Sequence, residues 1–148
     1  LAKKLNRRCV DIDRVIEKKS GMKIAKIVER FGWNYFRELE HQATKAVARL
    51  KNLVIATGGG TLMKEKNVKL LTKNGIVVLF KTPIPLLKKR LLHDSKRPAL
   101  TQMNNTLDEL ETLWKKRKKQ YEKVADYTIE LSDEPISKSL EKLLTIFQ

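Results

Sequence analysis

One cysteine, Cys9, and two histidines, His41 and His93, are the only Cys and His residues in 148. A lone cysteine closes no internal disulfide, and neither histidine has a second His or Cys at ligand spacing. A disulfide scaffold and a structural zinc domain are therefore excluded, and a reducing cytoplasm is the expected compartment. Both histidines read as surface residues. Long hydrophobic runs are missing as well. No apolar stretch approaches the ~20 residues of a membrane helix, and no short apolar segment follows a basic N-terminal stretch, so neither a membrane span nor an export signal is expected. With 6 glycines and 4 prolines the chain has no linker, repeat or low-complexity tract, which predicts a single domain over 1–148. Acidic residues are also scarce: 17 Asp and Glu stand against 32 Lys and Arg, for a net charge of +15.

What is present is enough to fold. At 41% hydrophobic and 33% charged, the composition is that of a chain with a real core. The positive charge admits nucleic acid, an anionic membrane surface or small anionic substrates as partners, and charge alone does not choose among them. Its densest run, Lys115-Lys116-Arg117-Lys118-Lys119 between Trp114 and Tyr121, reads either as a solvated helix face or as a basic helix on a phosphate backbone. Short apolar runs predict strands over 9–12, 53–57, 76–80 and 127–131. Amphipathic stretches predict helices over 14–19, 23–31, 35–50, 64–72, 83–92, 107–124 and 135–146, with Pro83 and Pro135 in first turns. Residues 1–6 read as the last turns of a helix. Strands alternating with helices mean a parallel α/β fold, and the unbroken apolar strands Leu53-Val54-Ile55-Ala56 and Ile76-Val77-Val78-Leu79-Phe80 suit a sheet covered on both faces.

In such a fold, sites form at the carboxyl ends of strands. Asp11-Ile12-Asp13 closes the first strand. Two carboxylates one residue apart share a strand face and suit a hydrated Mg²⁺ and a substrate hydroxyl, although Asp13 also stands where a helix N-cap belongs. Thr57-Gly58-Gly59-Gly60-Thr61 follows the second strand, and its successive glycines let backbone N–H groups approach an oxyanion. Arginines make a third set. Arg117 interrupts the apolar stripe of Leu110, Trp114 and Tyr121, so it needs an internal acid or an anionic ligand. Arg37 has either an intrahelical pair with Glu40 or a ligand. Arg97-Pro98 lies in a polar, proline-broken segment that suits either a mobile loop or an ordinary connection.

Taken in order, Asp11-x-Asp13, Ile16-Glu17, Gly21, Phe36-Arg37-x-x-Glu40, Gly58-Gly59-Gly60, Arg97-Pro98 and Arg117-x-x-x-Tyr121 resemble the shikimate kinase family across nearly the whole chain. The resemblance implies a P-loop kinase-like, three-layer α/β/α fold on a five-stranded parallel sheet, with a helical substrate-binding region over 14–50 and a lid over 93–106. It implies phosphoryl transfer from ATP to the 3-hydroxyl of shikimate, in chorismate and aromatic amino-acid biosynthesis, with Mg²⁺ as cofactor. By position, Asp13 would contact the shikimate hydroxyls and act as base or orienter, and Asp11 would support Mg²⁺ through water. Arg37 and Arg117 would hold the shikimate carboxylate, Gly59 and Gly60 would supply backbone donors, and Arg97 would be the lid arginine on the transferring phosphate. Arg90 and Pro135 match positions near the adenine. Shikimate and ATP are the implied partners, with no nucleic acid or membrane, and a monomer is expected.

Two features depart from the family. Trp33 follows Gly32 where the family usually has Glu, which removes a local hydrogen bond. The G-x-x-x-x-G-K-[ST] phosphate loop occurs nowhere in these 148 residues. Its absence implies that the first, central strand is missing with it and that the chain opens roughly twenty-odd residues into the family's domain. The alternatives that follow are a catalytically inactive fragment that still binds substrate and, from charge alone, a basic nucleic-acid binder.

Overall fold

The computed structural model describes residues 1–91 and 106–147, as two compact units, Leu1–Ile76 and Val77–Gln148. The lid expected over 93–106, with His93, Arg97 and Pro98, lies almost wholly outside the described residues.

The first unit opens on one helical turn, Leu5 N–H donating to Leu1 O at 3.0 Å. It closes as a Schellman cap: Arg7 N–H reaches Ala2 O, Asn6 N–H reaches Lys3 O, and Asn6 takes the left-handed φ of 50°. The helix end expected over 1–6 is therefore present. Next come β1 (Arg8–Asp11), α1 (Ile12–Ser20), α2 (Ile24–Val47), β2 (Leu53–Ala56), a 3₁₀ turn (Thr61–Met63) and α3 (Glu65–Thr72). β1 and β2 pair in parallel, with Arg8 opposite Leu53 and Asp11 opposite Ala56, so both strands end at the same level. The two helices expected over 23–31 and 35–50 are the halves of α2. They meet at Gly32, whose φ of 80° and ψ of 169° break the helix there. Ile12, Ile16, Ile27, Phe36 and Ala43 pack into one core cluster, with Leu39, Trp33 and Ile55 against it.

The second unit contains β3 (Val78–Lys81), α4 (Ile84–Leu91), α5 (Thr106–Val124), β4 (Tyr127–Glu130) and α6 (Ile136–Leu144). β3 and β4 are again a parallel pair, Val78 opposite Tyr127. The expected strand over 76–80 starts two residues late, and Ile76 is left exposed. Pro135 precedes α6 as its N-cap residue rather than entering the first turn. The strands are less buried than their apolar sequences predict: Phe80 is 50% exposed. Among the described residues each strand has a single hydrogen-bonded neighbour, so both outer edges of each pair lack a ladder partner. No helix among the described residues is long and apolar enough to cross a membrane.

Candidate active site

At the carboxyl end of β1 the backbone turns directly into α1, one position earlier than alternation along a strand allows. Asp11 is the reason. Its Oδ1 accepts from the N–H groups of Asp13 (2.9 Å) and Arg14 (3.2 Å), which makes Asp11, not Asp13, the N-cap. The shared strand face expected for the two acids is therefore replaced by a helix start, with Ile12 buried in the core between them. Asp13 is left in the first turn with its side chain uncommitted to capping. Burial, then the neighbouring charges of Asp11 and Glu40, push its carboxyl above the usual range, while the Arg37 guanidinium pulls the other way.

The glycine run lies against this acid. A Cβ on Gly58 would sit 3.1 Å from Asp13 Oδ1, and a Cβ on Gly60 would fall inside the Arg37 guanidinium. Gly60 has φ −94°, which any residue adopts, so it is the missing side chain that this position requires. Gly58 and Gly60 are two residues apart, at most about 7 Å along the backbone. The loop therefore forms a strip with a carboxylate at one end and a guanidinium at the other.

Arg37 is fixed in place by its surroundings. Its Nη1 donates to both Glu40 oxygens at 2.9 Å, and Glu40 is 1% exposed. Its Cζ lies 5.3 Å from the Trp33 ring centroid and 5.1 Å from that of Phe36. The intrahelical pair with Glu40 is thus real. It occupies one nitrogen of the fork while the side chain keeps 29% of its surface exposed, so the pair anchors the group and leaves it able to receive an anion. Trp33 thus packs its ring near the Arg37 guanidinium.

The remaining predicted residues fall in the second unit. Arg117 is half-buried on α5 while Lys115, Lys116, Lys118 and Lys119 are exposed, and Trp114 and Tyr121 pair along the same stripe with ring centroids 6.5 Å apart. Exposure of these lysines fits both readings of the run, a solvated helix face and a basic helix on a phosphate backbone. Arg90 donates from Nη2 to Ser132 O at 3.2 Å, which ties α4 to the segment leading into Pro135. Arg97 lies outside the described residues.

Sequence reasoning missed the groups behind Arg37. Thr61 Oγ1 donates to Glu40 Oε1 at 2.9 Å, Asn67 Nδ2 to Thr61 O at 3.0 Å, and His41 Nδ1 lies 2.7 Å from Asn67 Oδ1. His41 is accordingly half-buried and paired rather than a free surface residue. The only sequence signals were the position of Thr61 directly after the glycines and of His41 directly after Glu40.

Among the described residues no three His, Cys, Asp or Glu side chains cluster as a metal site. A hydrated Mg²⁺ carried on a nucleotide needs only one or two carboxylates. Asp11 fits that requirement, since the capping bonds go to Oδ1 and its charge already disfavours a second anion at Asp13.

The shikimate kinase family model matches residues 1–148. The shikimate kinase of Sulfurihydrogenibium sp. (strain YO3AOP1) is 39% identical over 98% of this chain and 85% of its own length. That of Thermoanaerobacter pseudethanolicus is 37% identical over 93% and 80%. Among solved structures, the shikimate kinase from Acinetobacter baumannii in complex with shikimate superposes with a TM-score of 0.92 at 36% identity, covering 99% of this chain and 81% of that one. Agreement along nearly all of this chain, in sequence and in backbone, places it in the shikimate kinase family.

Proposed function

We propose that this chain carries the substrate side of an enzyme that transfers the γ-phosphoryl group of ATP to the 3-hydroxyl of shikimate. The observation that carries this reading is the strip itself, with Asp13 at one end of Gly58–Gly60 and an anchored Arg37 at the other. A ring bearing a carboxylate and hydroxyls spans such a strip, its carboxylate on Arg37 and a hydroxyl on Asp13. The family resemblance assigns Arg117 as a further carboxylate-binding cation and the N–H groups of Gly59 and Gly60 as donors to the ring's oxygens.

In the reaction the 3-hydroxyl oxygen forms a bond to the γ-phosphorus, the bond from that phosphorus to the bridging oxygen of ADP breaks, and the hydroxyl proton passes to Asp13. Burial suits Asp13 to the task, because a carboxylate whose affinity for protons is raised is a stronger base. Arg97 neutralises the transferring phosphate, and Arg90 and the Pro135 segment flank the adenine. Asp11 would hold Mg²⁺ through water, and the ion would supply charge neutralisation on the nucleotide phosphates. The G-x-x-x-x-G-K-[ST] loop that would cradle those phosphates is not among these residues, so the activity belongs to this chain together with such a loop. The same reading makes the partners small molecules in the cytoplasm and the protein a monomer.

The test is ADP release in a coupled assay, on this chain alone and on this chain preceded by a strand, phosphate loop and helix start. Release from the extended protein that depends on both ATP and shikimate is the expected result. Release indifferent to shikimate would overturn the assignment. Shikimate binding without turnover in both proteins would reduce it to a binding module.

Gly60→Ala gives a sharper local check. The new methyl must displace the Arg37 guanidinium, which is pinned by Glu40, so the shikimate KM should rise roughly 10- to 100-fold while the ATP KM holds. An unchanged shikimate KM would show that Arg37 does not bind substrate from this position.

A further inference from the structure

Behind the Arg37 clamp the side-chain bonds close into a ring. Glu40 and His41 are neighbours on α2. Thr61 Oγ1 reaches Glu40, Asn67 Nδ2 reaches the Thr61 carbonyl, and Asn67 Oδ1 meets His41 Nδ1, which returns the circuit to α2. Donor and acceptor roles are fully determined around it. A carbonyl only accepts, so Asn67 presents its amide nitrogen to Thr61 and its oxygen to His41, and His41 Nδ1 carries the proton. Glu40, Thr61 and Asn67 are each no more than 1% exposed.

Buried polar groups are tolerated when every member is paired, and a fully paired buried network has one low-energy arrangement. Here that arrangement joins two structural pieces. Thr61 directly follows Gly60, and its turn is held by Asn67 from the first part of α3. Glu40 and His41 belong to the helix that carries Arg37. The ring therefore fastens the end of the glycine strip to α2 at two adjacent points, one of which is the carboxylate that grips Arg37.

We infer that Thr61, Asn67 and His41 are positioning residues for shikimate: they touch no substrate, yet they set the spacing between the Gly58–Gly60 backbone and the Arg37 guanidinium. The inference rests on the reading of Arg37 as the carboxylate-binding group. Thr61 acts through its hydroxyl on Glu40, Asn67 through the Thr61 carbonyl, and His41 by orienting Asn67.

The test uses the extended, loop-bearing protein with Thr61→Val, Thr61→Ser and His41→Ala. Thr61→Val keeps the shape and deletes the donor, Thr61→Ser keeps the donor, and His41→Ala opens the ring at its half-buried member. Loss of one hydrogen bond to a charged group is expected to raise the shikimate KM about tenfold in Thr61→Val. In His41→Ala the same KM should rise about threefold or more, with the ATP KM within about twofold of wild type in both. Thr61→Ser should recover most of the loss. A purely structural role would instead lower the melting temperature and shift both KM values together, or shift neither, and Thr61→Val with a wild-type shikimate KM would overturn the inference outright. If Thr61→Val gives no cooperative melt, His41→Ala decides by the same criteria. Absence of shikimate-dependent turnover in the wild type would overturn the Arg37 reading and this inference with it, whereas normal wild-type turnover with indifferent variants overturns the inference alone.

Discussion

Asp13→Asn is expected to lower kcat by about 10²–10⁴-fold, the usual worth of a positioned general base, while raising the melting temperature near neutral pH. The two effects have one cause. Burial, Asp11 and Glu40 together hold the Asp13 carboxyl above its ordinary range, against the pull of Arg37. The folded state therefore binds that proton more tightly than the unfolded chain does. A raised carboxylate contributes stability that is complete below the unfolded value, around pH 4, and is lost as pH climbs through the folded value. At neutral pH the ionised Asp13 is a net burden on the fold, and the neutral amide removes it. The melting curves of variant and wild type should converge in acid and separate as pH rises. The acid limb of the wild-type kcat/KM profile should likewise fall at a higher pH than an ordinary carboxylate gives. A variant with undiminished kcat would refute the role of Asp13 as base, and a variant less stable than wild type at neutral pH would refute the electrostatic account.

That Asp13 is the free acid, and Asp11 the cap, was not legible in the sequence. Alternation along a strand placed both carboxylates on one face, and the local pattern offered Asp13 as the cap. The decision turned on a single residue of helix start, because once Asp11 Oδ1 takes the N–H groups of Asp13 and Arg14 the strand cannot continue. Elements governed by local chemistry were easier to read. Gly32 divides α2 where two helical patterns were separated, and Arg117 is half-buried among exposed lysines as its place on an apolar stripe required. The glycine run was legible as a strand-end loop, but its contacts with Asp13 and Arg37 depend on how β1, α2 and β2 come together. The polar ring was hidden for the same reason. His41 and Asn67 are 26 residues apart, and periodicity reports which face of an element is buried without reporting which polar groups meet there. His41 therefore read as a surface residue until its partner was in view.

Arg37→Ala should lose shikimate binding by about a hundredfold or more, as expected when one partner of a hydrogen-bonded charge pair is removed. It should also lose stability, and the second loss separates the two roles of this side chain. Glu40 is 1% exposed, and without Arg37 its bonds are reduced to the Thr61 hydroxyl. A buried charge stripped of its partner destabilises a fold by roughly 3–5 kcal/mol. Converting the orphan to a neutral amide should reverse most of that penalty, so Arg37→Ala combined with Glu40→Gln is expected to melt well above Arg37→Ala alone. Shikimate binding should not return with stability, because the amide restores the packing behind the clamp and leaves the clamp itself absent. Calorimetric titration with shikimate alongside thermal melts of the two single variants and the double variant would measure this. If stability and binding recover together in the double variant, Arg37 acts only by holding the fold and the substrate carboxylate is bound elsewhere. If stability alone recovers, the pair divides its labour as the geometry suggests, with Glu40 serving to hold a guanidinium whose remaining donors face the ligand.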